Sequence, residues 1–243
     1  MRVAQMQTTV SADKQENLSR LYDRLEELRG QNIDLVTLGE MFNCPYETSN
    51  FPVYAEQEGG RVYNTAYVFD RNGRQAAKHR KMHLFDIDVK GGQRFMESET
   101  LTAGDQVTVF ETEFGKIGIC VCFDCRFPEL ARLMVQSGAK VILVPAAFNM
   151  TTGPAHWEVM FRSRAIDNQC YMIGTSDART PDYSYVAWGH SMVVDPWGRV
   201  ISELDEKEGV AVTDIDSSYV DQIREQLPLL SARRTDLYEL TEL

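Results

Sequence analysis

Gly115-Lys-Ile-Gly-Ile-Cys-Val-Cys-Phe-Asp-Cys-Arg-Phe-Pro-Glu129 decides how this chain is read. Its first half is apolar and alternating, as a strand is, and then breaks into a polar turn. Pro128 opens a helical pattern through Leu130, Leu133 and Met134. A strand that turns sharply into a helix exposes the side chain at the turn. Backbone N–H groups of the new helix then point at whatever that side chain attacks. Cys122 sits at this junction and is the candidate catalytic thiol.

The flanking chain reads as α/β. Residues 1–8 form a strand, and Leu18, Leu21, Leu25 and Leu28 recur at helical spacing up to the stop at Gly30. Residues 33–38 are a buried strand ending at Gly39-Glu40. Such βαβ openings build sheets covered by helices, with functional groups at the carboxyl ends of strands. Glu40 occupies such an end, with a solvated loop carboxylate as the competing reading. Residues 41–60 read as loop. Residues 64–70 and 75–81 form a hairpin around Arg71-Asn-Gly-Arg74, which delivers Lys81 to another strand end. Residues 91–104 read as a loop carrying Glu97 and Glu99, and 107–111 and 116–121 as a strand pair leading to Cys122. Beyond it come the buried strand 141–144 and a helix over 156–168 that buries Trp157, Met160, Phe161 and Ile166. Strands over 171–176, 191–194, 200–204 and 210–215 follow, then a helix over 217–226. The tail 227–238 is too apolar to stand free and is expected to pack on the body or on a second subunit.

At 243 residues the chain fits one domain, residues 1–243. A net charge of −11 argues against nucleic acid as a partner, which needs clustered Lys and Arg. No apolar run reaches the ~20 residues that span a bilayer. The first residues lack the layout of a signal peptide. Five cysteines without a framework suit a reducing compartment, so a cytoplasmic protein is expected.

Cys120, Cys122 and Cys125 first suggest a metal site, with His79 and His83 to complete it. Structural zinc sites, however, use paired Cys or His elements held in loops, and Cys120 lies inside an apolar strand, where a thiol acts as a small hydrophobe. A metal site is therefore not expected. A nucleophilic thiol needs a base, or a cation that lowers its pKa. His156 and His190 are the histidine candidates, but neither has a protease context. Glu40 and Lys81 supply the alternative, a carboxylate base with a lysine cation.

Gly39-Glu40, Arg80-Lys-Met-His-Leu-Phe-Asp86 and Gly118–Glu129 together resemble the carbon–nitrogen hydrolase (nitrilase) superfamily. Phe42-Asn-Cys-Pro-Tyr46, His83–Asp88, Phe148–Trp157 and Ala187-Trp-Gly-His190 resemble its omega-amidase branch. The resemblance runs from Met1 to Tyr238. It implies a four-layer α-β-β-α sandwich, a homodimer and no cofactor. It also implies Cys122 as nucleophile, Glu40 as general base and Lys81 as oxyanion stabiliser, helped by the N–H of Phe123. Glu97 matches the family's second glutamate, which orients the lysine. The implied reaction hydrolyses the terminal amide of a small carboxylate, such as 2-oxoglutaramate, through a thioester with release of ammonia. Deaminated-glutathione amidase, N-carbamoyl amine hydrolase and a non-enzymatic scaffold remain the alternatives. Arg126 is the candidate for the substrate carboxylate, with a structural pair to Glu129 or Asp124 as its other reading. Tyr46, Asn149 and Thr152 are candidate pocket residues.

One departure stands out. Members of the family have a helix and a strand between the glutamate and the lysine segments, whereas here Glu58-Gly-Gly-Arg61 runs straight on. Either about 30 residues, one strand-plus-helix unit, are absent after Gly60, or the loop over 41–60 substitutes for that unit. An absent strand exposes a sheet edge beside Glu40, and a shift of ~1 Å there would cost activity.

Overall fold

The structure, a computed structural model, describes residues 1–88, 90 and 94–243. The chain starts with a strand that is buried along almost its whole length, β1 (Arg2–Gln7). Asp13 then caps helix α1 (Lys14–Glu27), its carboxylate accepting from the N–H of Gln15 at 2.8 Å. α1 returns the chain to β2 (Leu35–Leu38), which lies parallel to β1. Residues 41–60, expected as loop, contain a short helix α2 (Phe51–Tyr54) and β3 (Glu56–Glu58), which pairs with β4 (Arg61–Tyr63). Phe51 anchors this stretch by packing edge-on to Tyr46, so apolar burial rather than a turn signal gives it shape.

The expected hairpin is β5 (Thr65–Phe69) and β6 (Gln75–Arg80). It is followed by the pair β7 (Asp86–Asp88) and β8 (Arg94–Met96), with a 3-10 turn over Glu97–Glu99. The expected loop 91–104 is thus partly ordered structure, and its residues 91–93 lie outside the described residues. Next come β9 (Thr108–Thr112), β10 (Gly115–Ile119), α3 (Pro128–Gln136), β11 (Val141–Ala146), α4 (Gly153–Asn168) and β12 (Tyr171–Ser176). The chain closes with β13 (Met192–Val194), β14 (Val200–Glu203), β15 (Gly209–Asp214) and α5 (Ser217–Gln226).

The strands assemble into a six-stranded sheet, β14-β13-β12-β11-β10-β9, and a three-stranded sheet, β15-β1-β2. Val3 of the small sheet and Ile215, just past β15, meet Ile117, Ile119, Leu143 and Ile173 of the large one, forming the middle of a sandwich. On the large sheet's other face Leu130 and Met134 of α3 and Trp157 and Phe161 of α4 fill the core. Ala4 and Met6 of the small sheet pack with Leu21 and Leu28 on the α1 side. The order is therefore α-β-β-α, as expected. Ile166 departs from expectation: it lies over the Gly198 turn but stays 42% exposed. In the tail, Leu230 packs on the main core, whereas Leu237 and Tyr238 stand out in solvent. Among the described residues no helix is long and apolar enough to cross a membrane.

β2 is the last strand of its sheet, and the β5–β6 hairpin forms a separate sheet, as expected if a strand is missing between them. The hairpin is held instead by close backbone contact. The N–H of Gly104 donates to the carbonyl of Lys81 at 2.8 Å, and a Cβ on Gly104 would stand 2.2 Å from the Arg80 carbonyl oxygen. Gly104→Ala is therefore expected to destabilise the fold by about 1–3 kcal/mol through overpacking, read from the urea unfolding midpoint. An unchanged midpoint would show that this contact does not hold the Lys81 strand end.

Candidate active site

Four strand ends converge. Glu40 follows β2, Lys81 follows β6, Glu97 follows β8, and Cys122 begins a 3-10 turn (Cys122–Arg126) after β10. Lys81 is fully buried, and its Nζ donates to Glu40 Oε1 at 2.8 Å, to Glu97 Oε1 at 3.0 Å and to the Tyr46 hydroxyl at 3.2 Å. Asn64 donates to Glu40 Oε1 at 2.7 Å, and the N–H of Phe85 donates to Glu97 Oε2 at 2.7 Å. Tyr46 also donates to Glu97 Oε1. Lys81 and Asn64 both use Oε1 of Glu40. Its Oε2 meets no strict hydrogen bond among the described residues, and the Cys122 thiol lies close enough for a hydrogen-bonding interaction with this carboxylate.

The electrostatics follow from burial. Burial raises Glu40 above the usual carboxylate range, with Lys81 pulling the other way. Burial opposes the charge of Lys81, but Glu40 and Glu97 outweigh it and hold the ammonium above its ordinary pKa. Burial, then the charge of Glu40, pushes the Cys122 thiol well up, so the resting thiol is neutral. Cys122 adopts φ +47°, the left-handed backbone that a side chain exposed at a sharp strand-to-helix turn requires. The N–H of Phe123 lies in the first turn of the short helix, among the N–H groups that helical bonding leaves open. The arrangement can deprotonate a thiol during attack and stabilise an oxyanion next to an ammonium.

Asp124, two residues past Cys122 and fully buried, ties the turn to the Lys81 segment. Its Oδ1 accepts from the N–H and Nδ1 of His83, both at 2.8 Å, and from Met82 N at 3.1 Å. Its Oδ2 accepts from His79 Nε2 and from the N–H of Val121, each at 3.0 Å. The two histidines weighed as metal ligands are thus occupied by Asp124 rather than by Cys120 and Cys122, and among the described residues no cluster of metal-ligating side chains forms. Cys120 lies in the helix-side core.

The remaining candidates are placed unevenly. Tyr46 joins the charge cluster and stacks on Tyr185 at 4.4 Å. Arg126 makes no ion pair among the described residues, because Asp124 is engaged elsewhere and Glu129 is not in reach, which removes the structural-pair reading. Its guanidinium lies 4.6 Å from the Phe148 ring centroid and donates to His156 Nδ1 at 3.1 Å. Asn149 and Thr152 serve the start of α4: Asn149 Oδ1 accepts from Thr152 N at 2.8 Å and from Thr152 Oγ1 at 2.9 Å. Asn64, Asp124 and Tyr185 went unforeseen. For Asn64 and Asp124 the signal was available, a polar residue at a strand end beside an expected site residue.

The carbon–nitrogen hydrolase family model matches residues 49–225, well over half of the chain. The chain belongs to the carbon–nitrogen hydrolase family. Among curated relatives of this family, it is 45% identical to omega-amidase NIT2 of Xenopus tropicalis, with 99% of this chain and 98% of that protein covered. Human omega-amidase NIT2 is 41% identical, with 98% and 96% covered. Saccharomyces cerevisiae Nit3, a member of branch 10 of the nitrilase superfamily, superposes with a TM-score of 0.87 at 35% identity, with 96% of each chain covered. The alignment to the Xenopus protein spans 269 positions against 243 residues here, so at least 26 (269 minus 243) face no residue of this chain. That agrees with the absence of one unit. The loss does not separate Glu40 from Lys81 in this carbon–nitrogen hydrolase, since they meet at 2.8 Å.

Burial works to raise the Asp124 carboxyl, but His79 first and then His83 hold it below the usual carboxylate range. A lowered folded-state pKa contributes stability above the unfolded value of about 4, and this is lost as pH falls below it. Asp124→Asn is expected to cost about 3–5 kcal/mol at pH 7 and to flatten the loss of stability on acidification. Urea midpoints between pH 3 and pH 7 would measure both, and parallel curves for variant and parent would contradict this.

Proposed function

We propose that this chain hydrolyses the terminal amide of a small carboxylate, an omega-amidase activity with a 2-oxo acid amide such as 2-oxoglutaramate as substrate. The single observation that carries the reading is the meeting of a left-handed Cys122, Glu40 and the buried Lys81 at adjoining strand ends. The relatives named omega-amidase at 41% and 45% identity support the substrate class. Arg126, a guanidinium without an acidic partner among the described residues, is suited to a substrate carboxylate, which it can bind in two places.

In this reading Cys122 Sγ attacks the amide carbon while its proton passes to Glu40. The carbonyl oxygen becomes an oxyanion held by Lys81 Nζ and by the N–H of Phe123. The C–N bond breaks as Glu40 returns the proton to nitrogen, and ammonia leaves a thioester. Water then attacks the thioester carbon and gives a proton to Glu40. The C–S bond breaks, and the thiolate regains that proton. Glu97 and Tyr46 hold Lys81 in place, and Asn149 and Thr152 shape the far wall through the start of α4. Neither a metal nor an organic cofactor takes part. We also read the protein as cytoplasmic, in keeping with five free cysteines, and as a homodimer closed by the exposed tail around Leu237 and Tyr238.

Ammonia release from 2-oxoglutaramate is expected to exceed that from deaminated glutathione and from N-carbamoyl amines. Cys122→Ala should abolish it, and Glu40→Gln should lower kcat by about 10²–10⁴. No ammonia from any of these amides would end the amidase reading. Sedimentation is expected to give twice 27.7 kDa, falling to one chain when residues 228–243 are removed. A monomer with the tail intact would refute the dimer.

A further inference from the structure

Beside the Glu40–Lys81–Cys122 cluster lies a cavity whose walls include Tyr46, Ala147, Thr180, Tyr183, Tyr185 and Asp177. It adjoins the cluster directly. Tyr46 bonds Lys81, Tyr185 donates to the Ala147 carbonyl, and the backbone of Ala147 acts on the Cys122 thiol. Thr180 and Tyr183 are half-buried, so the cavity reaches solvent on that side.

Asp177 is the anomaly. It follows β12, is only 6% exposed, and its carboxyl makes no hydrogen bond or ion pair among the described residues. Buried polar groups are nearly always partnered, and an unpaired buried carboxyl costs free energy unless something binds it. The packing around it is close: a Cβ on Gly39, the residue before Glu40, would stand 2.3 Å from Asp177 Oδ1. The carboxyl is thus held against the base-bearing strand end, and Tyr46, Tyr183 and Tyr185 line the same cavity.

A buried carboxyl in a tyrosine-lined cavity can recognise an ammonium group by ion-pairing with it. We propose that the Asp177 cavity binds an ammonium cation as it enters or leaves the active site. Two sources share this chemistry: the ammonia that amide hydrolysis releases, and an ammonium group on the substrate itself. Burial, then the charge of Glu40, raises Asp177 well above the usual carboxylate range, and an ammonium bound there opposes both by pairing with the carboxylate. Ammonia that meets the protonated acid takes its proton onto nitrogen, and an ammonium that meets it displaces that proton to solvent, so both give an ammonium–carboxylate pair. Both sources rest on the amide-hydrolase reading. Binding itself does not.

The test is thermal unfolding in ammonium chloride against sodium chloride at equal ionic strength, for the full chain and for Asp177→Asn and Asp177→Ser. Removing an unpartnered carboxyl should not unfold the protein. Ammonium is expected to raise Tm by about 2 °C or more over sodium in the parent and not in the variants. Equal shifts with both salts, or a shift that survives both variants, overturn the site. This readout stands even if no amide is hydrolysed. Kinetics then name the source. Inhibition of 2-oxoglutaramate hydrolysis by ammonium chloride, at least about threefold weaker in Asp177→Asn, assigns the site to the released product. A KM raised in that variant for glutamine but unchanged for 2-oxoglutaramate assigns it to a substrate ammonium. Neither effect beside a lost Tm shift would remove the cavity from the reaction and overturn the proposal.

Discussion

The site depends on one buried charge. Lys81 has no access to water, and an isolated ammonium in such a place would lose its proton. Glu40 and Glu97 prevent that, since their charges outweigh the burial and hold the proton on the ammonium. Asn64, Tyr46 and the N–H of Phe85 complete the hydrogen bonding. The result is a fixed field at the mouth where Cys122 stands, assembled before any substrate arrives. Removing one member leaves an unbalanced charge at the centre of the molecule, so stability and chemistry are coupled here.

That coupling explains how the site stays assembled at the edge of the small sheet. The small sheet ends at β2, yet Glu40 is not positioned by a neighbouring strand. It is held by Lys81 and Asn64 from the β5–β6 hairpin, while Gly104 pins the end of that hairpin and Asp124 clamps it to the Cys122 turn. Polar contacts take over work that sheet pairing does elsewhere in the molecule. Phe51 and its neighbours fill the adjacent apolar space.

Much of this was legible in the sequence. Periodicity gave β1, α1, the parallel core strands and α5, because each has one strongly preferred face. The strand-to-turn pattern around Cys122 identified the elbow, whose left-handed backbone the structure then displays. Residues 41–60 were not legible, since α2 and β3 are short and gain their order from Phe51 packing on Tyr46, a contact no local pattern announces. The same holds for β7 and β8. Ile166 was misjudged because a helix face can be apolar and still look onto solvent beside a turn. Arg126 could not be resolved from sequence, since its freedom from a carboxylate depends on what Asp124 binds. Asp177 gave no signal beyond its place at a strand end, because the absence of a partner is a property of the packed molecule.

The most direct measurement is the mass of the peptide containing Cys122 after 2-oxoglutaramate turnover is quenched in acid. Attack by this thiol predicts an added acyl group, the substrate less ammonia, on Cys122 and on no other cysteine, with Lys81→Met abolishing it. Steady turnover with Cys122 unmodified, or an acyl group on Cys120 or Cys125 instead, would contradict it.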